Sequence, residues 1–154
     1  MRRTEKRIPP DDRGQSTVEF ALTIVFVMVT VFWALELLLF IYTYTVMADA
    51  AKEGVRYAVV HGCAFAPNCS GPCPSPYPAC ADAAGANVVT QVKNYAKFCF
   101  HDISGINVSV NYQDNSAATP GRVQVIIHYP FKPYFSLGWG PPTINAAAVG
   151  RIMN

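Results

Sequence analysis

Two regimes of apolar patterning divide the chain. From Val18 to Ala48 most residues are apolar, and this is the one stretch long enough to cross a bilayer. A helix is the conformation such a stretch demands, because every backbone amide in hydrocarbon must be satisfied within the segment. Proline is absent from Ser16 to His61 and glycine occurs there only at Gly54. The pattern therefore predicts one helix over 15–62, with the membrane span at about 18–48, and a length of about 65 Å, some twice the hydrocarbon thickness. Its last third must project into water. That third, from Asp49 to Val60, turns amphipathic: Ala51, Val55, Ala58 and Val59 share a face, and Asp49 with Lys52 or Glu53 with Arg56 are spaced to pair on the other.

Beyond the helix the periodicity changes. Residues 82–100 place Val88, Val92, Tyr95, Ala96 and Cys99 at three-and-four spacing, which predicts a helix covering a sheet. Three alternating runs follow, carrying Val108, Val110 and Tyr112; then Val123, Val125, Ile127 and Tyr129; then Ile144, Ala146, Ala148 and Ile152. Each has one face for a core. With Asp114-Asn115-Ser116 and Thr119-Pro120-Gly121 in the first connection and residues 130–142 in the second, an antiparallel meander is the simplest topology. The fold class is α+β: a long N-terminal helix, then a head over 82–154 with one helix on a three-stranded antiparallel sheet. Phe131, Tyr134, Phe135, Leu137 and Trp139 crowd the second connection, either to pack under their own domain or to offer a subunit contact surface.

Between helix and head, residues 63–81 form a Cys- and Pro-rich loop with Cys63, Cys69, Cys73 and Cys80, and Cys99 makes the count odd. Two bridges within the loop and one leftover thiol is the plain reading outside the cytoplasm, with three connectivities open. Zinc fits poorly, since the intervals of five, three, six and eighteen residues contain no Cys-x-x-Cys knuckle. No metal or cofactor is expected.

Charge narrows the classes further. Twelve Lys and Arg stand against ten Asp and Glu, without a basic stripe that would track phosphates, so no nucleic acid is expected as partner. Residues 1–14 are basic and broken by Pro9-Pro10, and flanking Lys and Arg stay on the cytoplasmic side, which orients everything after the span outside the inner membrane. The apolar run is too long for an ordinary cleaved signal peptide, and it contains Glu19 and Glu36. An ionised carboxylate in hydrocarbon costs ~2.5 kcal/mol or more, so each asks for a partner. An enzyme finds little support: His61, His101 and His128 are scattered, and there is no Gly-x-Ser-x-Gly turn or phosphate-binding glycine loop. No catalytic residue is assigned.

Arg13-Gly14-Gln15 followed by Glu19-Phe20, ahead of a long span, resembles the start of a type IV prepilin. With Glu36 midway along the apolar run, Glu53-Gly54-Val55-Arg56 after it and Tyr129-Pro130-Phe131 near the end, the chain resembles more specifically a TadE-like minor pseudopilin of the Flp or Tad (tight adherence) pilus system. The resemblance implies a non-catalytic assembly component, cut by a prepilin peptidase between Gly14 and Gln15. The freed amine would lie about one helical turn from Glu19, and in a filament the amine can belong to a neighbouring subunit. Glu36 is expected near mid-membrane, either protonated in the bilayer or, the favoured reading, meeting a polar group of a partner helix. Implied partners are the peptidase, other pilins or pseudopilins of the Tad machinery, and the inner membrane, from which the protein can pass into the pilus. Cutting would leave seven basic and seven acidic residues, a formally neutral chain suited to packing against like subunits. The alternative is an uncleaved, signal-anchored envelope domain that binds an unknown partner.

Overall fold

A computed structural model of the chain describes residues 13–62, 70–72, 82–118, 120–135 and 140–153. The basic leader before Arg13, the four loop cysteines Cys63, Cys69, Cys73 and Cys80, and Leu137 and Trp139 lie outside the described residues.

One unbroken helix, α1, runs Arg13–Val60 over 48 residues. A short helix α2, Ala86–Ala96, and three strands follow: β1 Asn107–Tyr112, β2 Arg122–Pro130 and β3 Thr143–Arg151. The strands form an antiparallel meander in the order β1-β2-β3, with Val110 opposite Val125 and Val125 opposite Ala148. Period-2 alternation decides which side faces in: Val123, Val125, Ile127 and Tyr129 are buried along β2, and Ile144 and Ala146 along β3. This is the α+β architecture that the patterning predicts.

Both helices pack on the sheet: α1 lies against β2 and β3, α2 against α1 and β1. The C-terminal half of α1 is therefore the centre of the head. Met47, Ala50, Ala51, Val55 and Ala58 belong to the same buried cluster as Val88, Val92 and Val125. The expected face of Ala51, Val55, Ala58 and Val59 is the packed one, and it extends back to Thr43, which is fully buried. Amphipathicity marks the face only after Asp49; before that the helix is apolar all round and its periodicity carries no direction.

Small residues let these layers approach. A Cβ on Gly54 would run into the side chain of Val92, and one on Gly150 into Val55, so the α1–α2 and α1–β3 contacts both depend on a missing methyl group. Helix α2 is shorter than the periodic run because its ends are fixed chemically. The buried carboxylate of Asp82 accepts from the N–H groups of Ala86 and Asn87, each at 2.7 Å, and Ser70 donates to it at 3.3 Å. These are the orphan donors of a helix start, where an anion also meets the favourable end of the dipole. Past Ala96, Phe98 and Cys99 close three-residue turns onto Tyr95 and Ala96, which ends the helix.

Val92 is fully buried and β-branched, so it has few rotamers with which to make room. Gly54→Val should therefore lower stability by about 1–3 kcal/mol through overpacking, read as an earlier denaturation midpoint of the full chain in detergent, and Val92→Ala on top should recover part of the loss. An unchanged midpoint in Gly54→Val contradicts the close approach.

Candidate functional site

The residues singled out in the sequence fall at four places along α1 and its neighbours. At the N-terminal end Gly14 is exposed, with open space where a Cβ would be. One turn on, the amide Nε2 of Gln15 donates to Oε1 of Glu19 at 3.1 Å. The first turns thus place a carboxylate beside the residue whose α-amino group a cut after Gly14 would expose. From Gly14 to Ala34 every residue is exposed, although Phe20, Phe26 and Trp33 are large and apolar. The hydroxyls in this stretch are satisfied along the helix itself, Thr23 by the carbonyl of Glu19 and Thr30 by that of Phe26. The helix fits a single-pass membrane anchor by length and composition.

Glu36 lies 17 residues beyond Glu19, about 25 Å along the helix, so the two carboxylates act at different levels. Within the chain, the backbone N–H of Tyr134, on the β2–β3 connection, donates to Oε1 at 3.2 Å. The other oxygen is buried and has no hydrogen-bond partner among the described residues. Around this contact two connections grip the helix. Phe135 meets Phe32 at 4.9 Å between ring centroids, Phe131 stands edge-on to Phe40 at 5.2 Å, and Phe100 lies over Tyr42 at 5.1 Å. Tyr42 donates to the carbonyl of Phe98 at 3.0 Å, and the Tyr134 hydroxyl to that of Phe100 at 3.3 Å. His101 is buried beside Phe131 and Tyr134, within 3.5 Å of the Thr43 hydroxyl. Sequence reading missed this junction. Its signals were the aromatics Phe131, Tyr134 and Phe135 of the second connection and, on α1, Glu36, Phe40 and Thr43, which recur at helical spacing along a single stripe.

Glu53, Gly54 and Arg56 separate into two roles. Gly54 is a packing residue. Glu53 and Arg56 form an exposed pair at 3.5 Å, as Asp49 and Lys52 do at 2.9 Å, and surface pairs of this kind contribute ~0.5 kcal/mol or less. Cys99 is a free, half-buried thiol, and burial pushes its pKa up, which keeps it protonated and a poor nucleophile near neutral pH.

The far end of the head holds an open cavity of about 750 Å³ lined by Asp114, Arg122, Gly150 and Arg151. Arg122 donates to both oxygens of Asp114, at 3.0 and 3.3 Å, and these hydrogen bonds hold the carboxyl below the ordinary range. The guanidinium is thus already engaged within the chain. His61, His101 and His128 belong to separate surroundings: His61 stacks on Tyr57, His101 is in the junction, and His128 meets Asn145 at 2.6 Å. Among the described residues no three His, Cys, Asp or Glu side chains are grouped as they would be to hold a metal.

The geometry assembles a lipid-length helix with a carboxylate at its start and a head clamped to its second half. Comparison with known proteins bears on the same helix. No curated protein and no solved structure matches the chain. Residues 14–56, from the glycine at the foot of α1 to Arg56 near its end, match the family model described as TadE-like protein. That match lies in α1 and leaves the head outside it: over these residues the chain is similar to the TadE-like family, consistent with a TadE-like protein of the Tad pilus system.

Proposed function

We propose that the chain is a non-catalytic minor pseudopilin that takes part in assembly of a Tad-type adhesion pilus. In this reading it inserts by α1 with its N-terminus in the cytoplasm and its head outside the inner membrane. A prepilin peptidase then cuts between Gly14 and Gln15. The observation that carries the reading is the start of the family match at Gly14, with Glu19 one turn away and already within hydrogen-bond reach of Gln15.

The physical role of Glu19 follows from its setting. It is exposed on an apolar helix, where a bare carboxylate is costly and a positive amine beside it lowers the cost of both groups. The new N-terminus of Gln15 supplies that amine within one subunit or between neighbours. Charge pairing then guides the register in which exposed apolar spans pack against other pilin helices, where close packing and not hydrophobicity is the driving force. In the described part of the head, Arg122 and Asp114 of the cavity engage each other and His61 and His128 have partners, while Nε2 of the buried His101 has none among the described residues. Cys63, Cys69, Cys73 and Cys80 are assigned to two bridges that staple their loop, a structural role.

The competing reading keeps the leader in place and makes the protein a signal-anchored envelope domain. Two substitutions separate them. Gly14→Leu should leave the leader attached and abolish incorporation, as seen by mobility on gels of membrane fractions. Glu19→Ala should leave membrane insertion and cutting intact but reduce piliation about tenfold or more, the equivalent of losing ~1.4 kcal/mol from the subunit contact. Normal piliation in both variants contradicts the pseudopilin assignment.

A further inference from the structure

We propose that the head does not stand off the membrane but sits in its outer surface, held there by an aromatic rim formed by Phe98, Phe100, Tyr134 and Phe135 around the point where α1 leaves the lipid. The inference rests on α1 being a membrane anchor and not on processing or pilus assembly.

The helix sets the levels. Hydrocarbon about 30 Å thick takes up ~20 residues at 1.5 Å each, so a span that begins near Ser16 ends near Glu36. A tilt of about 20° moves this end by only one or two residues. A span ending at Ala48 is not compatible with how the head is attached. Phe131 packs at the level of Phe40, His101 at Thr43, and Met47 is fully buried by the head. Lipid reaching Ala48 would engulf the lower ends of the strands and of α2, together with exposed Lys97, Asp102 and Lys132. Charges and open backbone at that depth are strongly disfavoured. The outer boundary therefore falls at Glu36.

At this level the head shows its unusual surface. Its exposed large apolar side chains, among the described residues, are Phe98, Phe100, Tyr134, Phe135, Val149 and Met153. Four of the six belong to the two connections that touch α1 between Phe32 and Tyr42. Phe98 and Phe100 are 67% and 70% exposed, an expensive state in water for rings whose backbone is already anchored to the helix. Tyr42, Tyr44 and Trp33, all exposed on α1, complete a belt of the kind that marks a membrane–water interface. Lys97 and Lys132 stand next to these rings in sequence, placed to reach lipid phosphates while the rings enter the acyl boundary. The carboxylate of Glu36, pinned by Tyr134, then lies at the edge of the lipid and not at its middle.

Depth-dependent fluorescence quenching tests this on the full chain in phosphatidylcholine–phosphatidylglycerol vesicles, using phospholipids brominated either near the headgroup or near the bilayer centre. With Trp139→Phe, Trp33 is the reporter; with Trp33→Phe as well, Phe100→Trp, Phe135→Trp or Val149→Trp supplies it. The expected result is that reporters at 33, 100 and 135 are quenched several times more strongly by shallow bromine than by deep bromine, while the reporter at 149 responds to neither. Two results overturn the proposal. Strongest quenching of Trp33 by deep bromine, which needs no change in the head, would put the span's centre there. Reporters at 100 and 135 as insensitive as that at 149 would leave the rim in water or under a protein partner. Neither result bears on whether the peptidase cuts, so the pseudopilin reading stands or falls separately.

Discussion

Everything in this molecule depends on α1 continuing without a break from lipid into a folded domain. A helix in hydrocarbon satisfies its own amides, and a helix in a protein core does the same, so one element can serve both environments provided that its side chains change character along its length. They do so between Glu36 and Asp49. From Gly14 to Leu35 the side chains are exposed, with Phe32 touching the head through Phe135; after Asp49 a stripe of Ala and Val is sealed by the sheet and by α2. The head is not hung from the helix by a linker. It is built around it, so a force or displacement applied to the buried half of α1 is transmitted to the whole domain.

That arrangement explains the choice of residues at the contacts. Ala50, Ala51, Gly54 and Ala58 bring the backbone of α1 close to its neighbours, while the bulk is supplied by Val88, Val92, Val125 and Ile127 from the other side. Where the head reaches its lower edge the chemistry changes to large rings and two tyrosine hydroxyls bonded to backbone carbonyls. Tyr42 and Tyr134 combine an apolar ring with a hydroxyl that finds a carbonyl, which suits an edge where apolar and polar surroundings meet. Within the TadE-like segment, Gly54 accordingly has a packing reason to be glycine, whereas Glu53 and Arg56 pair in solvent and contribute little to the fold.

Most of the fold was legible in the sequence because its signals are local. The absence of proline from Ser16 to His61 foretold a single helix, and strict alternation in Val123, Val125, Ile127 and Tyr129 foretold the central strand and its buried face. The proximity of Gln15 and Glu19 was legible for the same reason, being one helical turn long. The contact of Glu36 with the head was not. It is made by the backbone of Tyr134, 98 residues away, and a backbone amide leaves no mark in a sequence. Nor could the packed helix face that carries Thr43 and Met47 be seen inside a uniformly apolar run. The start of α2 was misplaced by a few residues because Asp82, read as the first residue of the helix, instead caps it from outside.

The functional reading joins a physical fact to a chemical step. A carboxylate is held at the foot of a lipid-exposed helix, and a cut one turn before it would provide the amine that makes this placement favourable. That step leaves a covalent record. The most direct measurement is intact mass and N-terminal analysis of the protein isolated from its native membrane, in the presence and absence of the prepilin peptidase. A chain beginning at Gln15 only when the peptidase is present is the result this account predicts. A chain that retains its leader in both cases would contradict it, and would identify the protein as an uncleaved anchored domain.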